Sequence, residues 1–338
     1  MNDRSRALVA IFRGGYSGES VISHQSAATM MGALDPECYQ GVFVTIDRDR
    51  WSAQDVDGNE LQLDRGRLSI ELNGAPVLAQ MALIAIHGSP GEDGRLQGFL
   101  DLLDIPYQTG GVLNMAITFS KFSTCGLLRE MGFRVARSIF LSSLKEGSVG
   151  AIVERIGVPC FVKPDQSGSS LGISKVKTME ELPGALEQAF RESPGVIVEE
   201  AITGRELTCG VYKLDGVVHA LPICEVRTSR EFFDYEAKYH AQDTEEIVPA
   251  PIPAAVASLI QERSKAIYEA LGCKGMVRVD HFWDGQEIIT IEVNTTPGFS
   301  KASIFPKMLH AAGTPIGTVV NGLVSEALNA PLQRSDGQ

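Results

Sequence analysis

Short, continuous apolar runs that end near glycines mark the first third of the chain. Residues 7–12 and 81–86 are two such runs, and each is followed by a glycine-rich turn and a stretch with helical spacing. Continuous apolar runs are typical of parallel strands that are buried on both faces. The repeated order of strand, turn and helix predicts an open α/β sheet, whose ligands bind beyond the carboxyl ends of its strands.

Each of the two glycine-rich turns carries a carboxylate close to the start of the following helix. These carboxylates are Glu19 and Glu92. The free N–H groups at a helix start favour anions, so both turns could hold a charged ligand. A helix-capping carboxylate is the simpler interpretation of either residue taken alone.

The middle of the chain places a polar loop between two short strands. Residues 158–163 predict a strand, and DQSGSSLGISKV follows it. Backbone N–H groups of such a loop can wrap phosphate oxygens, and Ser169 and Ser170 can add hydroxyl donors. Lys121 and Lys163 are then candidates for phosphate contacts, although most lysines are simply solvated. The GxxxxGK[ST] pattern of a P-loop is absent, and a flexible turn is the competing interpretation.

A further apolar run, at residues 196–200, ends in Glu199 and Glu200. A strand of this kind could present its backbone groups to an adenine edge. Glu206, a few residues later, could accept hydrogen bonds from ribose hydroxyls.

Residues 276–297 change the pattern to two extended runs joined at an Asp-Gly turn, which predicts a hairpin. Asp280, Glu292 and Asn294 on this hairpin offer the oxygen ligands that Mg²⁺ prefers. Polar residues that simply face water are the competing interpretation. The Asn-Thr-Thr-Pro-Gly run at the end of the hairpin favours a site, because it stops the strand where a backbone N–H could meet a ligand.

The face on which these side chains lie depends on the length of the connecting loop. Side chains alternate along a strand, so Glu292 and Asn294 share a face. Asp280 joins them if the loop has an odd number of residues, such as 284–286. Arg278 would then add a positive group to the same face.

Residues 230–239, REFFDYEAKY, are dense in aromatic and charged side chains and show no clean period. This composition suits a mobile loop that closes over a site, where Lys238 could reach phosphate and Tyr239 could reach substrate. A surface loop with its aromatic rings against the core is the competing interpretation.

Length and charge narrow the class of protein. The 338 residues predict two or three domains, and the net charge of −12 argues against a nucleic-acid partner. We expect no membrane span, because no apolar run reaches about 18 residues, and no signal peptide, because the apolar part of the first residues is too short. The six cysteines lack metal-type spacing, which indicates reduced thiols in the cytoplasm.

Four stretches resemble, in order, the motifs of D-alanine–D-alanine ligases, members of the ATP-grasp superfamily. They are HGSPGEDGRLQG, VKPDQSGSSLGISKV, FFDYEAKY and EVNTTPGFSKASIFPKM, with weaker matches at GGYSGESVIS, SK, VEEAITGREL and RVD. The resemblance covers nearly the whole chain and implies an α/β fold whose ATP-binding part is α+β. The expected domains are an open parallel α/β N-terminal domain at 1–118, a small central α+β domain at 119–212, and a C-terminal antiparallel-sheet domain at 213–338.

The resemblance implies a substrate role for one group of residues. The amino group of the first D-alanine would bind Glu19, which would also help to fix Ser169 and Tyr239. His87 would lie near that substrate, and Glu92 would support the substrate site from the second glycine turn. Arg278 and the Gly298 N–H would stabilise negative charge on the substrate carbonyl, and the carboxylate of the second D-alanine would be held by Ser303 and Ile304.

The resemblance implies nucleotide and metal roles for the others. The phosphates of ATP would contact Lys121, Lys163, Lys238, Ser169 and Ser170. Adenine would meet Glu199, Glu200 and Ile202, and the ribose would meet Glu206. Two Mg²⁺ ions, or Mn²⁺ in their place, would be bound by Asp280, Glu292 and Asn294.

Three features depart from the family pattern. The stretch GESVIS keeps Glu19 without a second Glu, and Asp280 and Glu292 are twelve positions apart, one fewer than in many members. Ser120 precedes Lys121 where Asp is frequent, so we expect a different local cap.

The expected activity is an ATP-dependent ligation of two D-alanines through a D-alanyl phosphate, for peptidoglycan precursors, in a cytoplasmic homodimer. One alternative is an ATP-grasp ligase of specialised metabolism that joins other amino acids. Another is a nucleotide-binding regulatory protein without turnover, against which the intact set of Arg278, Asp280, Glu292 and Asn294 argues.

Overall fold

The computed structural model describes residues 6–146, 148–166, 168, 172–228 and 244–330. The strands are β1 (Ala7–Gly14), β2 (Tyr39–Ile46), β3 (Trp51–Gln54), β4 (Glu60–Leu61), β5 (Leu63–Asp64), β6 (Ser69–Leu72), β7 (Ala75–Leu78), β8 (Met81–Ile84), β9 (Ser138–Leu141), β10 (Cys160–Pro164), β11 (Ser174–Val176), β12 (Val196–Glu200), β13 (Arg205–Leu214), β14 (Val217–Ala220), β15 (Cys224–Thr228), β16 (Thr244–Ile247), β17 (Met276–Trp283) and β18 (Ile288–Asn294). The helices are α1 (Ser20–Ala33), α2 (Arg95–Asp101), α3 (Val112–Phe119), α4 (Lys121–Glu130), α5 (Val149–Arg155), α6 (Leu182–Glu192), α7 (Ala254–Ala270), α8 (Ile304–Ala311) and α9 (Ile316–Asn329), with a short 3₁₀ helix at Met179–Glu181. Within these described stretches, no helix is both long and apolar enough to cross a bilayer.

The first sheet has the order β4-β3-β2-β1-β8. Its centre is parallel, as the apolar runs predict, because β1 pairs in parallel with β2 and β8. Strands β3 and β4 extend one edge in antiparallel orientation. Alternate residues of β1 enter two different cores: Ile11 packs with residues of α1 and α9, whereas Phe12 packs with residues of α2. The strand is therefore buried on both faces, and the last helix of the chain covers one of them.

Two glycine turns lie at the carboxyl ends of neighbouring strands, as expected. Gly14 is the last residue of β1 and Gly15 follows it, with φ of +91° and +97°. A Cβ on Gly14 would lie 2.6 Å from the Ile46 carbonyl oxygen, and a Cβ on Gly15 would lie 2.5 Å from a methyl of Ile86. Any other residue would be strained in conformation and would clash, so the turn requires glycine at both positions.

A small antiparallel sheet, β11-β10-β12-β9, forms the middle of the chain and packs on α5 and α6. Two helices meet before this sheet, because α3 ends at Phe119 and α4 begins at Lys121. Ser120 between them is extended, and its Oγ accepts a hydrogen bond of 3.1 Å from the Ser123 N–H. The serine therefore caps α4, and the helical backbone is interrupted at this position.

The last sheet has the order β16-β15-β13-β17-β18, with β14 beside β13. Helix α7 covers one face, where Ile260 and Ile267 pack with Val277 and Val279 of β17. Because side chains alternate along a strand, Arg278 and Asp280 point to the opposite face.

A β-bulge sets the geometry of the β17–β18 hairpin. The connecting loop has four residues, since Trp283 pairs with Ile288, so the odd-numbered loop that the shared face was expected to need is not present. The register shifts after Asp280, because Asp280 lies opposite Glu292 and His281 lies opposite Thr290. Ile291 is the extra residue, and it restores the shared face that an even loop alone would destroy.

Candidate active site

Every predicted site residue that the structure describes lines one cavity of about 930 Å³. This volume suits a nucleotide or another small-molecule ligand. The residues are Glu19, His87, Glu92, Lys121, Lys163, Glu199, Glu200, Ile202, Glu206, Arg278, Asp280, Glu292, Asn294, Gly298, Ser303 and Ile304. Ser169, Ser170, Lys238, Tyr239 and the predicted lid at 230–239 lie outside the described residues.

The centre of the cavity wall is a charged network around Asp280. The Arg278 guanidinium donates to both carboxylate oxygens, from Nε and from Nη2, at 2.8 Å each. Asn294 Nδ2 donates to Oδ2 at 2.9 Å, and the Thr208 hydroxyl donates to Oδ1. Burial lowers the pKa of Arg278, but Asp280, together with the charges of Glu292 and Glu206, outweighs it and raises the pKa above the usual value. The guanidinium is therefore a fixed positive charge.

Beside this network, Lys121 and Glu292 form an ion pair with 2.8 Å between Nζ and Oε1. Burial lowers the pKa of Lys121, but Glu292, together with the charges of Asp165 and Glu92, outweighs it and raises the pKa above the usual value. Lys121 is the first residue of α4, and Asp165 fixes that helix start by accepting from the Phe122 N–H at 2.9 Å. The break at Ser120 thus places a charged lysine at the cavity wall.

The oxygen ligands on the hairpin fit a hard divalent cation. Asp280 and Glu292 face each other across β17 and β18, and Asn294 lies opposite Arg278 on the same face. Two carboxylates and an amide suit Mg²⁺, which keeps waters and shares substrate phosphates. In the part of the chain that the structure describes, no group of three or more His, Cys, Asp or Glu side chains is arranged to hold a metal, so this set depends on its amide as third ligand.

The nucleotide candidates lie along β10 and β12. Lys163 contacts Glu199 directly across these paired strands. Glu200 accepts from the backbone N–H of Arg137 at 2.8 Å and from the Arg137 side chain at 2.6 Å. Hydrogen bonds to Arg137 thus hold the Glu200 carboxylate.

Neither glycine-turn carboxylate caps a helix as the simpler interpretation expected. Glu19 precedes α1 without a side-chain capping bond and reaches Gly168, whose Cβ would lie 2.4 Å from its carboxylate. Glu92 accepts from the Gly88 N–H at 2.6 Å. Burial, reinforced by the charge of Glu19, raises the pKa of Glu92 to about 8. Glu92 is therefore largely protonated at neutral pH.

The far end of the cavity is formed by the turn after β18 and the start of α8. The Ser303 hydroxyl accepts from the Ser300 N–H at 3.1 Å, and Ile304 is the first helical residue. A helix start favours a carboxylate. Gly298 lies close by, since a Cβ on it would be 3.0 Å from Ser303 Oγ.

Several groups that shape the site carry no signal in the sequence. Thr208 lies opposite Asp280 in the register of β13 and β17, although the two are 72 positions apart. Glu225, also in the cavity wall, accepts from Arg205 at 2.6 and 2.7 Å and from Arg227 at 2.8 Å. Only knowledge of the strand order could have revealed these partners.

Two family models match the chain, the D-ala D-ala ligase N-terminus over residues 8–110 and the D-ala D-ala ligase C-terminus over residues 127–325. The chain belongs to the D-alanine–D-alanine ligase family.

Curated ligases and solved structures agree with this membership. The D-alanine–D-alanine ligase of Bacteroides fragilis is 42% identical over 318 residues, which cover 94% of this chain and 98% of that protein. That of Porphyromonas gingivalis is 40% identical over 326 residues, 96% and 98%. A D-Ala:D-Ser ligase from Enterococcus faecalis has 30% identity and a TM-score of 0.85, covering 95% and 99%. A Bacillus anthracis D-alanine–D-alanine ligase complexed with ATP has 30% identity and a TM-score of 0.74, covering 96% of each chain.

Proposed function

We propose that this family member is an ATP-dependent ligase that joins two D-alanines into D-alanyl-D-alanine for peptidoglycan precursors. The observation that carries the proposal is the set of opposed side chains on β17 and β18. Arg278 faces Asn294, Asp280 faces Glu292, and Lys121 pairs with Glu292. A single cavity thus holds the cations and the oxygen ligands that phosphoryl transfer to a carboxylate requires.

The first step activates the carboxylate of the first D-alanine. A carboxylate is a poor electrophile, so one of its oxygens attacks the γ-phosphorus of ATP, ADP leaves and D-alanyl phosphate forms. Lys121 and Lys163 lie in the cavity wall to balance the phosphate charge, and Lys238 is proposed as a third cation. Glu19 would hold the amino group of this substrate.

Asp280, Glu292 and Asn294 would hold two Mg²⁺ ions, or Mn²⁺ in their place. When bound, the metal neutralises charge on the phosphate oxygens during transfer. Glu292 also pairs with Lys121, so Lys121 would exchange this carboxylate for a phosphate oxygen when the nucleotide enters. Arg278 keeps the Asp280 carboxylate oriented through two hydrogen bonds of 2.8 Å.

The second step joins the two amino acids. The free amine of the second D-alanine attacks the acyl carbonyl and an oxyanion forms. Phosphate leaves as the carbonyl returns, and the nitrogen gives up one proton to become the amide. Arg278 and the Gly298 N–H would stabilise the oxyanion, a kind of contact that contributes about 3–4 kcal/mol. The start of α8, at Ser303 and Ile304, would hold the carboxylate of the incoming D-alanine.

The test is ADP release measured with and without D-alanine, together with a panel of D-alanine, D-serine and other amino acids whose products are identified. D-serine belongs in the panel because a D-Ala:D-Ser ligase is among the similar structures. Release that depends on D-alanine, with the dipeptide as product, supports the proposal. Preference for other amino acids would favour a ligase of specialised metabolism, and no turnover with any of them would favour a regulatory role.

We also propose a cytoplasmic homodimer. All six cysteines are free thiols, which suits a reducing compartment. Leu102, directly after α2, is 86% exposed, and Leu113 on α3 is 74% exposed. The two helices pack together, and such side chains are suited to a partner surface. Sedimentation of Leu113→Glu should show monomers. The matched control is Leu259→Glu on α7, a 54% exposed leucine that should leave the dimer intact. A dimer that survives in Leu113→Glu contradicts this interface.

The three-part division is proposed with one adjustment. Strands β1–β8 fall within 1–118 and strands β9–β12 within 119–212. Strand β13 begins at Arg205 and pairs with β15 and β17 of the last sheet. We therefore place the second boundary in the connection before Arg205.

A further inference from the structure

The turn that carries Gly298 is held by two buried residues from the other end of the chain. His87 Nδ1 lies 3.0 Å from the Thr296 carbonyl oxygen, and the Phe299 N–H donates to Ser26 Oγ at 3.0 Å. Ser26 and His87 also contact each other, with 3.4 Å between Oγ and Nε2. Gly298 therefore lies inside a stretch whose two flanks are anchored to the first sheet and its helix α1.

The directions of these hydrogen bonds are mutually consistent. The Thr296 carbonyl can only accept, so His87 carries its proton on Nδ1 and donates it there. Nε2 is then an acceptor, and the Ser26 hydroxyl donates to it. The same hydroxyl oxygen accepts from the Phe299 N–H. Each of the four groups thus has a partner of the correct kind when the histidine is neutral.

Burial keeps this set free of water and favours the neutral histidine. Ser26 and Phe299 are 0% exposed, and His87 is 6% exposed. Burial lowers the pKa of His87, an effect that the Glu19 carboxylate opposes and the Arg278 charge reinforces. Because Phe299 is fully buried, loss of the Ser26 hydroxyl would leave its N–H as an unsatisfied buried donor.

We propose that Ser26, acting with His87, is a positioning residue for the Gly298 N–H. The inference rests on the oxyanion role proposed above for Gly298. Ser26 does not line the cavity; it fixes the turn so that the N–H points to the site of the oxyanion. An error of about 1 Å in such a group can cost about a hundred-fold in rate.

The position of Ser26 explains why α1 is placed against this turn. The helix begins after the glycine turn that presents Glu19, and Ser26 lies two turns into it. The same helix thus orients a proposed contact of the first D-alanine at its start and the Gly298 turn along its length. Ser26 and His87 thus connect the first sheet and its helix to the turn that follows β18 of the last sheet.

The experiment compares Ser26→Ala with Ser264→Ala. Ser264 is a matched control because it is also 0% exposed and its Oγ also lies near a histidine, 2.9 Å from His281 Nε2 on the α7 side of the sheet. We expect Ser26→Ala to lower kcat for dipeptide formation about ten-fold, which equals about 1.4 kcal/mol, with the Kd for ATP unchanged. Ser264→Ala should lose similar stability and keep its kcat.

Hydrogen exchange of the Phe299 amide separates this inference from the proposed function. Exchange should become faster in Ser26→Ala and stay slow in Ser264→Ala. If the wild-type protein makes no dipeptide, the proposed function fails whatever the exchange shows. If the wild type is active and Ser26→Ala has the kcat of Ser264→Ala, the positioning role of Ser26 is overturned.

A second variant covers the case in which Ser26→Ala does not fold. Ser26→Cys has nearly the volume of serine and keeps a weak donor and acceptor, so it should fold with a smaller fall in kcat. The double variant Ser26→Cys with His87→Asn should lose little more than His87→Asn alone, because both changes act on one set of bonds. If the losses in kcat of the two changes were fully additive, Ser26 and His87 would not act through one shared set of hydrogen bonds.

Discussion

Asp280→Asn replaces a carboxylate that receives four hydrogen bonds with an amide of the same shape. Arg278 Nε and the Thr208 hydroxyl donate to Oδ1, and Arg278 Nη2 and Asn294 Nδ2 donate to Oδ2. An asparagine can present its oxygen to only one of these pairs. Its NH₂ group then faces two donors, and the guanidinium loses its main counter-charge. The structure thus predicts a loss of stability together with a loss of activity.

The size of the stability loss follows from how far the pair is buried. Removing one partner of a fully buried ion pair costs about 3–5 kcal/mol. The side chains of Arg278 and Asp280 retain 22% and 15% of their exposure, and Glu292 leaves some negative charge near the guanidinium. Because solvent screens the partly exposed pair, we expect the free energy of unfolding to fall by the lower end of this range, about 3 kcal/mol. The fold should persist, because domains of this kind are stable by about 5–15 kcal/mol.

Urea unfolding and Mg²⁺ titration of ADP release measure the two effects separately. The matched control is Glu225→Gln, since Glu225 also receives guanidinium hydrogen bonds, two from Arg205 and one from Arg227, and is not a proposed metal ligand. Both variants should lose stability, but only Asp280→Asn should lose most turnover and need more Mg²⁺. Normal turnover with normal Mg²⁺ dependence in folded Asp280→Asn would refute the reasoning.

Three further predictions concern a buried carboxyl, a helix cap and the second substrate. Folding raises the pKa of Glu92 from 4.5 to about 8, so the folded protein keeps a proton that the unfolded chain releases. This carboxyl therefore destabilises the fold increasingly as pH rises from about 5 to about 8. Glu92→Gln should therefore gain stability relative to wild type over that range in urea unfolding, and a difference independent of pH would contradict the buried carboxyl. Ser120→Ala should lower the free energy of unfolding by about 1 kcal/mol, because Ser123 N–H loses its cap; an unchanged midpoint of thermal unfolding would show that the cap is not needed. D-alanine should outcompete D-lactate near neutral pH, because Tyr239 adds no positive charge to repel an ammonium. Lower pH should raise the share of the ester product, because only the free amine of D-alanine attacks. Predominant ester near pH 7 in a product assay would exclude this substrate preference.

The sequence alone determined the features that depend on neighbouring residues. The apolar runs at 7–12 and 81–86 fit strands that are buried on both faces, and the two strands are parallel neighbours in the first sheet. Gly14 and Gly15 turn the chain because no other residue fits there. The motifs of the family were recognisable as well, and all of their described site residues line one cavity.

Tertiary structure decided the features that depend on pairing across the chain. Local spacing could not show that a four-residue loop and a bulge at Ile291 together keep Asp280 opposite Glu292, because either change alone would move the carboxylate to the other face. Nor could it show that Thr208 reaches Asp280 or that Ser26 reaches Phe299, which is 273 positions away. A buried hydroxyl takes its role from the donor or acceptor that folding brings to it, and the sequence does not specify that neighbour.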